Sequence, residues 1–317
     1  VTCIQRIAPV IKEGDLIILE STSPVGTTEK LADWLADLRP DLSFPQQVGE
    51  RAQVNIAHCP ERVLPGHVVQ ELVENDRIIG GMTSTCSDRA VELYKIIVHG
   101  ECVITDSRTA EMAKLTENSF RDVNIAFANE LSMICDRLDI DIWELIRMAN
   151  RHPRVNILQP GAGVGGHCIA VDPWFIVSSA PDEAHLIRTA RNTNDKKPAW
   201  VLEKVHAAIQ SFMTANPQKT ASEVKIAVYG LAFKPEIDDL RESPALGIAI
   251  KLSTEHGGPL MVVEPFIDTL PQSLEQALLV TYSKASEADI HVMLVDHSLF
   301  KHEPIPNGIK IDCRGVW

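Results

Sequence analysis

Residues 109–140 read TAEMAKLTENSFRDVNIAFANELSMICDRLDI, and this stretch decides how the rest of the chain is organised. Its apolar residues recur at helical spacing, and neither glycine nor proline interrupts it. The pattern predicts one helix from Thr109 to about Asp139. This length exceeds the roughly 8–20 residues of most globular helices, so we expect the helix to form a spine or the seam of a homodimer.

Before this helix, strand and helix patterns alternate. They predict a helix (1–14), a strand (15–22), a helix (27–38), two strands (54–61 and 77–81), a helix (87–98) and a strand (100–105). Such alternation is typical of a parallel α/β sheet. The chain begins on a helix, with no earlier strand and no GxGxxG turn. We therefore expect an incomplete first domain that lacks about a hundred residues, including the pyrophosphate-binding turn.

After the long helix, the strand patterns are absent until about residue 213. A shorter helix (141–151), a glycine-rich loop and a second long helical run (184–213) fill this part, and the polar stretch TANPQKTASE (214–223) indicates a boundary. Strands and helices then alternate again. The predicted fold is α/β, with two Rossmann-like parallel-sheet domains joined by a long central helix and a helical connector. The predicted domains are residues 1–106, 107–213 and 214–317.

Composition and charge exclude several classes of protein. The formal net charge of −13 opposes binding to nucleic acid or to an anionic membrane surface, although local Lys and Arg can still bind a phosphorylated small molecule. No stretch approaches the roughly 18 apolar residues of a membrane-spanning helix. The seven cysteines form no CxxC pair, which argues against a disulfide framework and against a zinc site. These features favour a cytoplasmic protein.

The most informative segment is QPGAGVGGHCIAVDPWF, residues 159–175. Its four glycines (161, 163, 165 and 166) let the backbone approach a ligand closely, and Cys168 follows where a helical pattern begins. A thiol at a helix N-terminus is biased toward the nucleophilic thiolate. Taken alone, the loop is also compatible with a tight interdomain turn and an inert cysteine. Asp172, one helical turn later, favours a reactive site.

The sequence resembles the UDP-glucose/GDP-mannose dehydrogenase family over nearly the whole chain, and five motifs match this family in order. They are ESTSPVGTTE (20–29), HCPERVLPG (58–66), AEMAKLTENSF (110–120), GVGGHCIAVDPWF (163–175) and GLAFKPEIDDLRESPA (230–245). The GGHC and VDPWF elements look most like the branch that oxidises UDP-N-acetyl-D-mannosamine, because Val171 replaces the lysine usual in the UDP-glucose branch. Ala170 replaces a proline that is common after GGHCI.

The resemblance implies a two-step oxidation of the sugar C6 alcohol to a carboxylate with NAD, for cell-surface polysaccharide precursors of the enterobacterial common antigen type. Cys168 would trap the intermediate aldehyde as a thiohemiacetal, and a second oxidation would leave a thioester for water to hydrolyse. Lys114 matches the family lysine that stabilises the oxyanion, and Asn118 lies one helical turn later. Asp172 matches the aspartate that orients water or the lysine, and Glu61 matches the glutamate linked to hydrolysis.

The same resemblance names binding residues. Lys234 and Arg241 place positive charge beside a strand-to-loop junction of the second α/β domain, where a diphosphate could bind. The other substrate positions are Arg154, Asn156, Gly163, Gly165 and Gly166, and the cofactor positions are Ser21, Thr22, Pro24 and Glu61. Arg241 is a candidate for the cofactor as well.

Several alternatives stay open from the sequence. A UDP-glucose or GDP-mannose 6-dehydrogenase would share every catalytic residue. The chain could also be an inactive fragment that binds sugar nucleotides or dimerises. A plain 2- or 3-hydroxyacid dehydrogenase lacks both the GGxC thiol and the second α/β domain. His152 and His167 lack metal-ligand spacing, so we expect no metal site.

Overall fold

A computed structural model describes residues 2–63 and 68–317 of the chain. Residues 64–66 of the HCPERVLPG motif therefore lie outside the described residues. The chain divides into two compact units, an N-terminal unit (1–119 with 172–184) and a C-terminal unit (120–171 with 185–317). No helix of the described residues is long and apolar enough to cross a membrane.

The N-terminal unit is an α/β structure around a sheet of four strands in the order β1-β2-β3-β4. Strand pairs β1–β2 and β3–β4 are parallel, whereas β2 and β3 pair antiparallel. The elements are α1 (Thr2–Ile7), β1 (Leu16–Leu19), α2 (Thr27–Leu38), α3 (Pro45–Val48), β2 (Asn55–His58), α4 (Val68–Glu74), β3 (Arg77–Gly81), α5 (Ser84–Tyr94), β4 (Cys102–Asp106), the start of α6 (Ser107–Leu138), and α8 (Asp172–Ser179).

The predicted helix over residues 1–14 is too long. Helix α1 ends at Ile7 and continues only as a single 3-10 turn, Ala8–Val10, after which Ile11 is extended. Pro9 explains this end, because proline has no backbone N–H to donate to the preceding helical turn. The long central helix is confirmed, since α6 runs without interruption over 32 residues.

The C-terminal unit contains a wholly parallel sheet in the order β7-β6-β5-β8-β9. Strands β5, β6 and β8 are buried along their whole length, as is typical of parallel strands covered on both faces. The elements are the rest of α6, α7 (Ile142–Ala149), α9 (His185–Ala215), β5 (Ile226–Tyr229), α10 (Pro244–Glu255), β6 (Leu260–Val263), β7 (Leu278–Leu279), α11 (Tyr282–Ala285), β8 (Ile290–Met293) and β9 (Ile309–Asp312).

Candidate active site

The glycine-rich loop of the C-terminal unit packs directly on the segment that follows β5. A Cβ atom on Gly165 would lie 2.4 Å from the carbonyl oxygen of Glu242 and 2.6 Å from Cδ of Pro244. Gly166 adopts a φ of +80°, and a Cβ there would lie 3.1 Å from the ring of Phe233. Glycine is required here because the two backbones nearly touch.

A buried carboxylate holds the segment that receives this loop. Glu264 accepts hydrogen bonds from the N–H groups of Leu231 (2.7 Å) and Ala232 (3.1 Å) and contacts Nε2 of His297 at 3.2 Å. Burial raises the pKa of Glu264, but the bonds from His297 and Leu231 outweigh it, so the net pKa is lowered. Ser243 adds a 2.6 Å bond from its hydroxyl to the carbonyl of Leu231. The exit of β5 is thus fixed from two sides.

Loop and segment together line a cavity of about 370 Å³. Arg121, Lys234 and Arg314 contribute positive charge to its wall, and no carboxylate of the described residues lines it. Arg314 is held by Asp296, with its Nε and Nη2 at 2.7 and 2.6 Å from Oδ1. Three cations and exposed backbone around one cavity suit an anionic ligand such as a diphosphate.

Cys168 lies at the end of the glycine loop and is exposed. The prediction that its thiol sits at a helix N-terminus is wrong, because α8 begins only at Asp172. A turn separates them, in which the N–H of Val171 donates to the carbonyl of Cys168 at 3.1 Å. The thiol is accessible to a substrate. Because Cys168 lies before the turn, it is not at the N-terminus of α8, and the dipole of that helix does not act directly on its thiol.

In the N-terminal unit, helix α6 and the first turn of α8 bring together three of the predicted residues. The amide Nδ2 of Asn118 donates to Oδ2 of Asp172 at 2.5 Å, and Lys114 lies one helical turn before Asn118. Asp172 is buried, and burial raises its pKa, although Asn118 and Lys114 both act to lower it. This carboxyl therefore holds a proton more readily than an exposed aspartate does.

Glu61 is fully engaged in the same unit. Its Oε1 accepts from the N–H groups of Arg62 (2.6 Å) and Val63 (3.0 Å), and its Oε2 pairs with Nη1 of Arg77 at 3.1 Å. Arg77 itself is buried. Cys59 is buried close by, and burial raises its pKa to about 12, so this thiol stays protonated near neutral pH.

The predicted cofactor residues follow neighbouring strands. Ser21, Thr22 and Pro24 come after β1, Glu61 comes after β2, and these strands are parallel neighbours, so all four residues lie at one edge of the sheet. Ser21 and Pro24 are exposed, and Thr22 is half-buried. Hydroxyl groups at the carboxyl ends of two neighbouring parallel strands fit the hydrogen-bonding groups of a dinucleotide.

The structure does not bring the remaining predicted residues to the 370 Å³ cavity. Arg154 is exposed and does not line it, and Asn156 lines a separate cavity that shares Arg121 and Leu158 with it. Arg241 is exposed and makes a two-pronged ion pair with Asp239, which lowers the pKa of Asp239 to about 2. No group of metal-binding side chains occurs among residues 2–63 and 68–317.

Sequence reasoning missed three charged residues of this region. Arg121 and Arg314 line the cavity, and Arg77 pairs with Glu61. Arg314 follows the carboxyl end of β9, a position at which ligand-binding residues of α/β sheets are common, so its place in the sequence offered a signal. Arg121 comes directly after the AEMAKLTENSF motif, and nothing in the sequence pattern marked it as a ligand-binding residue.

Two α/β units, an accessible thiol on a glycine loop and polar groups at the carboxyl edge of the first sheet are the parts of a dinucleotide-dependent oxidoreductase. Comparison with family models identifies the particular family within this class. Three models of the UDP-glucose/GDP-mannose dehydrogenase family match the chain: the NAD binding domain at residues 1–98, the central domain at 108–196 and the UDP binding domain at 227–317. The chain belongs to the UDP-glucose/GDP-mannose dehydrogenase family and is an NAD-dependent nucleotide-sugar dehydrogenase.

Individual relatives are similar over almost the entire chain. The UDP-N-acetyl-D-mannosamine dehydrogenases of Yersinia pestis and Escherichia coli (strain K12) are each 64% identical to it, over 99% of this chain and 76% of their own length. The NDP-N-acetyl-D-galactosaminuronic acid dehydrogenase of Ralstonia nicotianae is 59% identical, over 99% of this chain and 73% of its own. A solved UDP-D-ManNAc dehydrogenase from Pyrococcus horikoshii superposes with a TM-score of 0.84 at 37% identity, covering 100% of this chain and 72% of that one.

Proposed function

We propose that this protein oxidises the C6 hydroxyl of UDP-N-acetyl-D-mannosamine to the carboxylate of UDP-N-acetyl-D-mannosaminuronate, with Cys168 as the covalent catalyst. The observation that carries the proposal is the exposed thiol of Cys168 on a loop whose glycines line a cation-rich cavity. The relatives that are 64% identical and named for this substrate support the choice of sugar. The product would serve cell-surface polysaccharide synthesis of the enterobacterial common antigen type.

The cavity of the C-terminal unit would hold the UDP part of the substrate. Lys234, Arg121 and Arg314 would neutralise the diphosphate, and the backbone of Gly163 and Gly165 would let the nucleotide approach closely. Gly166 does not line the cavity and would contribute through its φ of +80°, which sets the course of the loop. Arg154 and Asn156 would contact the substrate at its edge, as the family resemblance implies. Residues 214–317 would then form the UDP-sugar-binding domain.

The oxidation needs a trap for the aldehyde. NAD, when bound, would supply the hydride acceptor for both oxidation steps, with one NAD molecule consumed in each step. Between the two steps, the Cys168 sulfur bonds to the aldehyde carbon while the carbonyl oxygen takes up a proton, which gives a thiohemiacetal. Loss of a hydride from C6 and of the hydroxyl proton then leaves a thioester. Water then adds to the thioester carbon, the C–S bond breaks, and the carboxylate and the free thiol are released.

The N-terminal unit would supply the groups that assist. Lys114 and Asn118 would stabilise the oxyanion, Asp172 would orient water or Lys114, and Glu61 would assist thioester hydrolysis. Ser21, Thr22, Pro24 and Glu61 would hold the nicotinamide end of NAD, and Arg241 would reach the cofactor or the substrate. Residues 1–106 would form the NAD domain, and 107–213 a central domain for dimerisation.

The 59% identical Ralstonia protein makes a second sugar worth testing. Its name points to an N-acetyl-D-galactosamine nucleotide, which shares the acetamido group but not the ring stereochemistry. Comparing kcat/KM for UDP-N-acetyl-D-mannosamine, UDP-N-acetyl-D-galactosamine and UDP-glucose decides between them. We expect the first to be preferred by at least about tenfold, a difference typical of one or two sugar contacts. Equal or better use of either other sugar would reject the assignment.

Cys168→Ser tests the chemistry. A serine hydroxyl is much less acidic than a thiol and a serine ester is less reactive than a thioester, so NADH formation should fall by about three powers of ten or more. Cys59→Ser is the matched control, because Cys59 is buried and its thiol is protonated. Iodoacetamide should label Cys168 in the active protein. Full turnover by Cys168→Ser, or loss of turnover in Cys59→Ser alone, would reject the mechanism.

A further inference from the structure

One peptide group at the start of the glycine loop is held on both sides. The N–H of Gly161 donates to Oδ1 of Asn129 at 2.9 Å, and the carbonyl of Pro160 accepts from Nη1 of Arg314 at 3.2 Å. Asn129 lies on α6 and Arg314 lies just after β9, so this peptide group is hydrogen-bonded to two different parts of the unit. Its orientation sets the direction in which the loop leaves toward Gly163, Gly165 and Cys168.

Asn129 is the last member of a buried hydrogen-bond chain between α6 and α9. Its Nδ2 donates to Oδ1 of Asn194 at 2.9 Å, and Nδ2 of Asn194 donates to Oδ1 of Asp122 at 2.7 Å. Nη1 of Arg191 donates to the same oxygen of Asp122 at 2.6 Å. All four residues are at most 1% exposed.

The carboxylate of Asp122 determines the orientation of the two asparagine amides. The Asp122 oxygen that faces Asn194 accepts hydrogen bonds, so Asn194 turns its NH₂ toward Asp122 and its oxygen toward Asn129. Asn129 must then turn its own NH₂ toward Asn194, which leaves Oδ1 facing Gly161. This series of hydrogen bonds therefore presents an acceptor, Oδ1 of Asn129, to the glycine loop, and not a donor.

We propose that Asn129, with Asn194, Asp122 and Arg191 behind it, is a positioning residue of this enzyme that fixes the course of the loop carrying Cys168 and the wall of the nucleotide cavity. The catalytic part of this inference rests on the proposed function. Without Oδ1 of Asn129, the Gly161 N–H would be left buried and unpaired, and the loop would move to find another acceptor. The glycines that line the cavity would move with it, so nucleotide binding and turnover would both suffer.

The test compares variants of one helix face. Asn129→Ala removes the acceptor. Asn129→Asp keeps an oxygen in its place, because a carboxyl buried there retains its proton for Asn194 and accepts from Gly161 with the other oxygen. Ser132→Ala is the control: Ser132 lies on α6 nearby and is also buried, but its hydroxyl bonds to Lys197 and to the carbonyl of Asn129 and not to the loop. Asn194→Ala releases the Asn129 amide to turn.

UDP affinity by calorimetry is the first readout, since it does not depend on the chemistry of Cys168. We expect Asn129→Ala to weaken UDP binding about tenfold and to lower kcat by a similar factor, with Asn194→Ala in the same direction and smaller. Asn129→Asp should lie nearer to the parent protein, and Ser132→Ala should stay within about twofold of it. Asn129→Asp also carries the test if Asn129→Ala does not fold.

Parent-like UDP affinity in Asn129→Ala, an equal loss in Ser132→Ala, or an equal loss in Asn129→Asp and Asn129→Ala would each overturn the inference. Parent-like UDP affinity in Asn194→Ala would reject the claim that Asn194, Asp122 and Arg191 orient the amide of Asn129. If Cys168→Ser stays active while Asn129→Ala still loses UDP affinity, the proposed chemistry fails and the positioning role stands. The opposite pattern leaves the chemistry intact and rejects the positioning role.

Discussion

At the scale of single residues, the glycine loop depends on positions where a side chain would not fit. Gly165 is the clearest case, because a Cβ would lie 2.4 Å from a backbone carbonyl that cannot move by a side-chain rotation. We expect Gly165→Ala to lower the free energy of unfolding by about 1–3 kcal/mol, as overpacking does. Chemical denaturation measures this change.

Gly247 is the matched control for that substitution. It is an exposed residue of α10, and a Cβ there would meet nothing within 4 Å. Gly247→Ala should raise the free energy of unfolding by about 0.5–1 kcal/mol, because alanine loses less backbone freedom in a helix. Similar effects from the two substitutions would show that the close contact at Gly165 does not matter.

The buried carboxyl of Asp172 predicts a conflict between stability and activity. Burial raises its pKa above the ordinary value of 3.8, so the folded protein binds this proton more tightly than the unfolded chain does. Stability is therefore lost as the pH rises through 3.8 toward the folded pKa. Asp172→Asn should unfold at a higher temperature than the parent protein at about pH 7, and at nearly the same temperature at about pH 3.5.

The same variant should turn over slowly, since an amide cannot take a proton from water or from Lys114. Thermal unfolding at the two pH values and NADH formation at neutral pH give the measurements. A less stable Asp172→Asn protein at neutral pH would contradict the argument from burial.

At the scale of elements, one side chain of α6 caps another helix. Oε2 of Glu111 accepts from the N–H of Gly26 at 2.5 Å, and Oε1 accepts from the N–H and the hydroxyl of Thr28 at 2.7 and 2.6 Å. Gly26 is the N-cap residue of α2, and as a glycine it has no side chain that could cap the helix. Glu111 thus satisfies donors that the helix leaves unpaired, within the N-terminal unit.

We expect Glu111→Ala to lower the free energy of unfolding by about 3 kcal/mol, because it leaves buried donors without a charged acceptor. Glu92→Ala is the control: Glu92 lies on α5 of the same unit but is exposed, and its removal should change stability by less than about 0.5 kcal/mol. Urea denaturation compares the two. Equal stabilities of the two variants would mean that α2 needs no cap from α6.

At the scale of the whole molecule, α6 leaves apolar surface uncovered in one chain. Phe120, Phe127 and Ile134 are 69%, 53% and 45% exposed, and their spacing of seven residues places them on one face of the helix. Exposed apolar stripes of this kind mark interaction surfaces. We propose that two copies of the chain pair through this face as a homodimer.

Phe127→Glu combined with Ile134→Glu should convert the dimer to a monomer, because it buries two like charges on each side of the seam. Met148→Glu is the control, since Met148 is 62% exposed but lies on α7. Light scattering at micromolar concentration reads the mass. A monomeric parent protein, or a dimeric double variant, would reject the pairing.

The sequence by itself determined the order of the main strands and long helices, and it pointed to a candidate site whose residue roles remain predictions. Period-2 and helical apolar patterns decide which segments can be buried in a sheet or along a helix, and these are local properties of the chain. The long helix, the two α/β regions and the glycine loop with its cysteine were predictable for this reason. The five motifs also named candidate site residues, and the roles of these residues stay predictions.

Only the tertiary structure decided which distant groups meet. The buried chain from Arg191 to Asn129 joins positions on α6 and α9, and no local pattern marks them as partners of Gly161. Likewise, the antiparallel pairing of β2 with β3 depends on the route of the connecting chain, which the strand patterns do not record. Hydrogen bonds between groups far apart in sequence form only after packing excludes water, so their geometry belongs to the fold and not to any one segment.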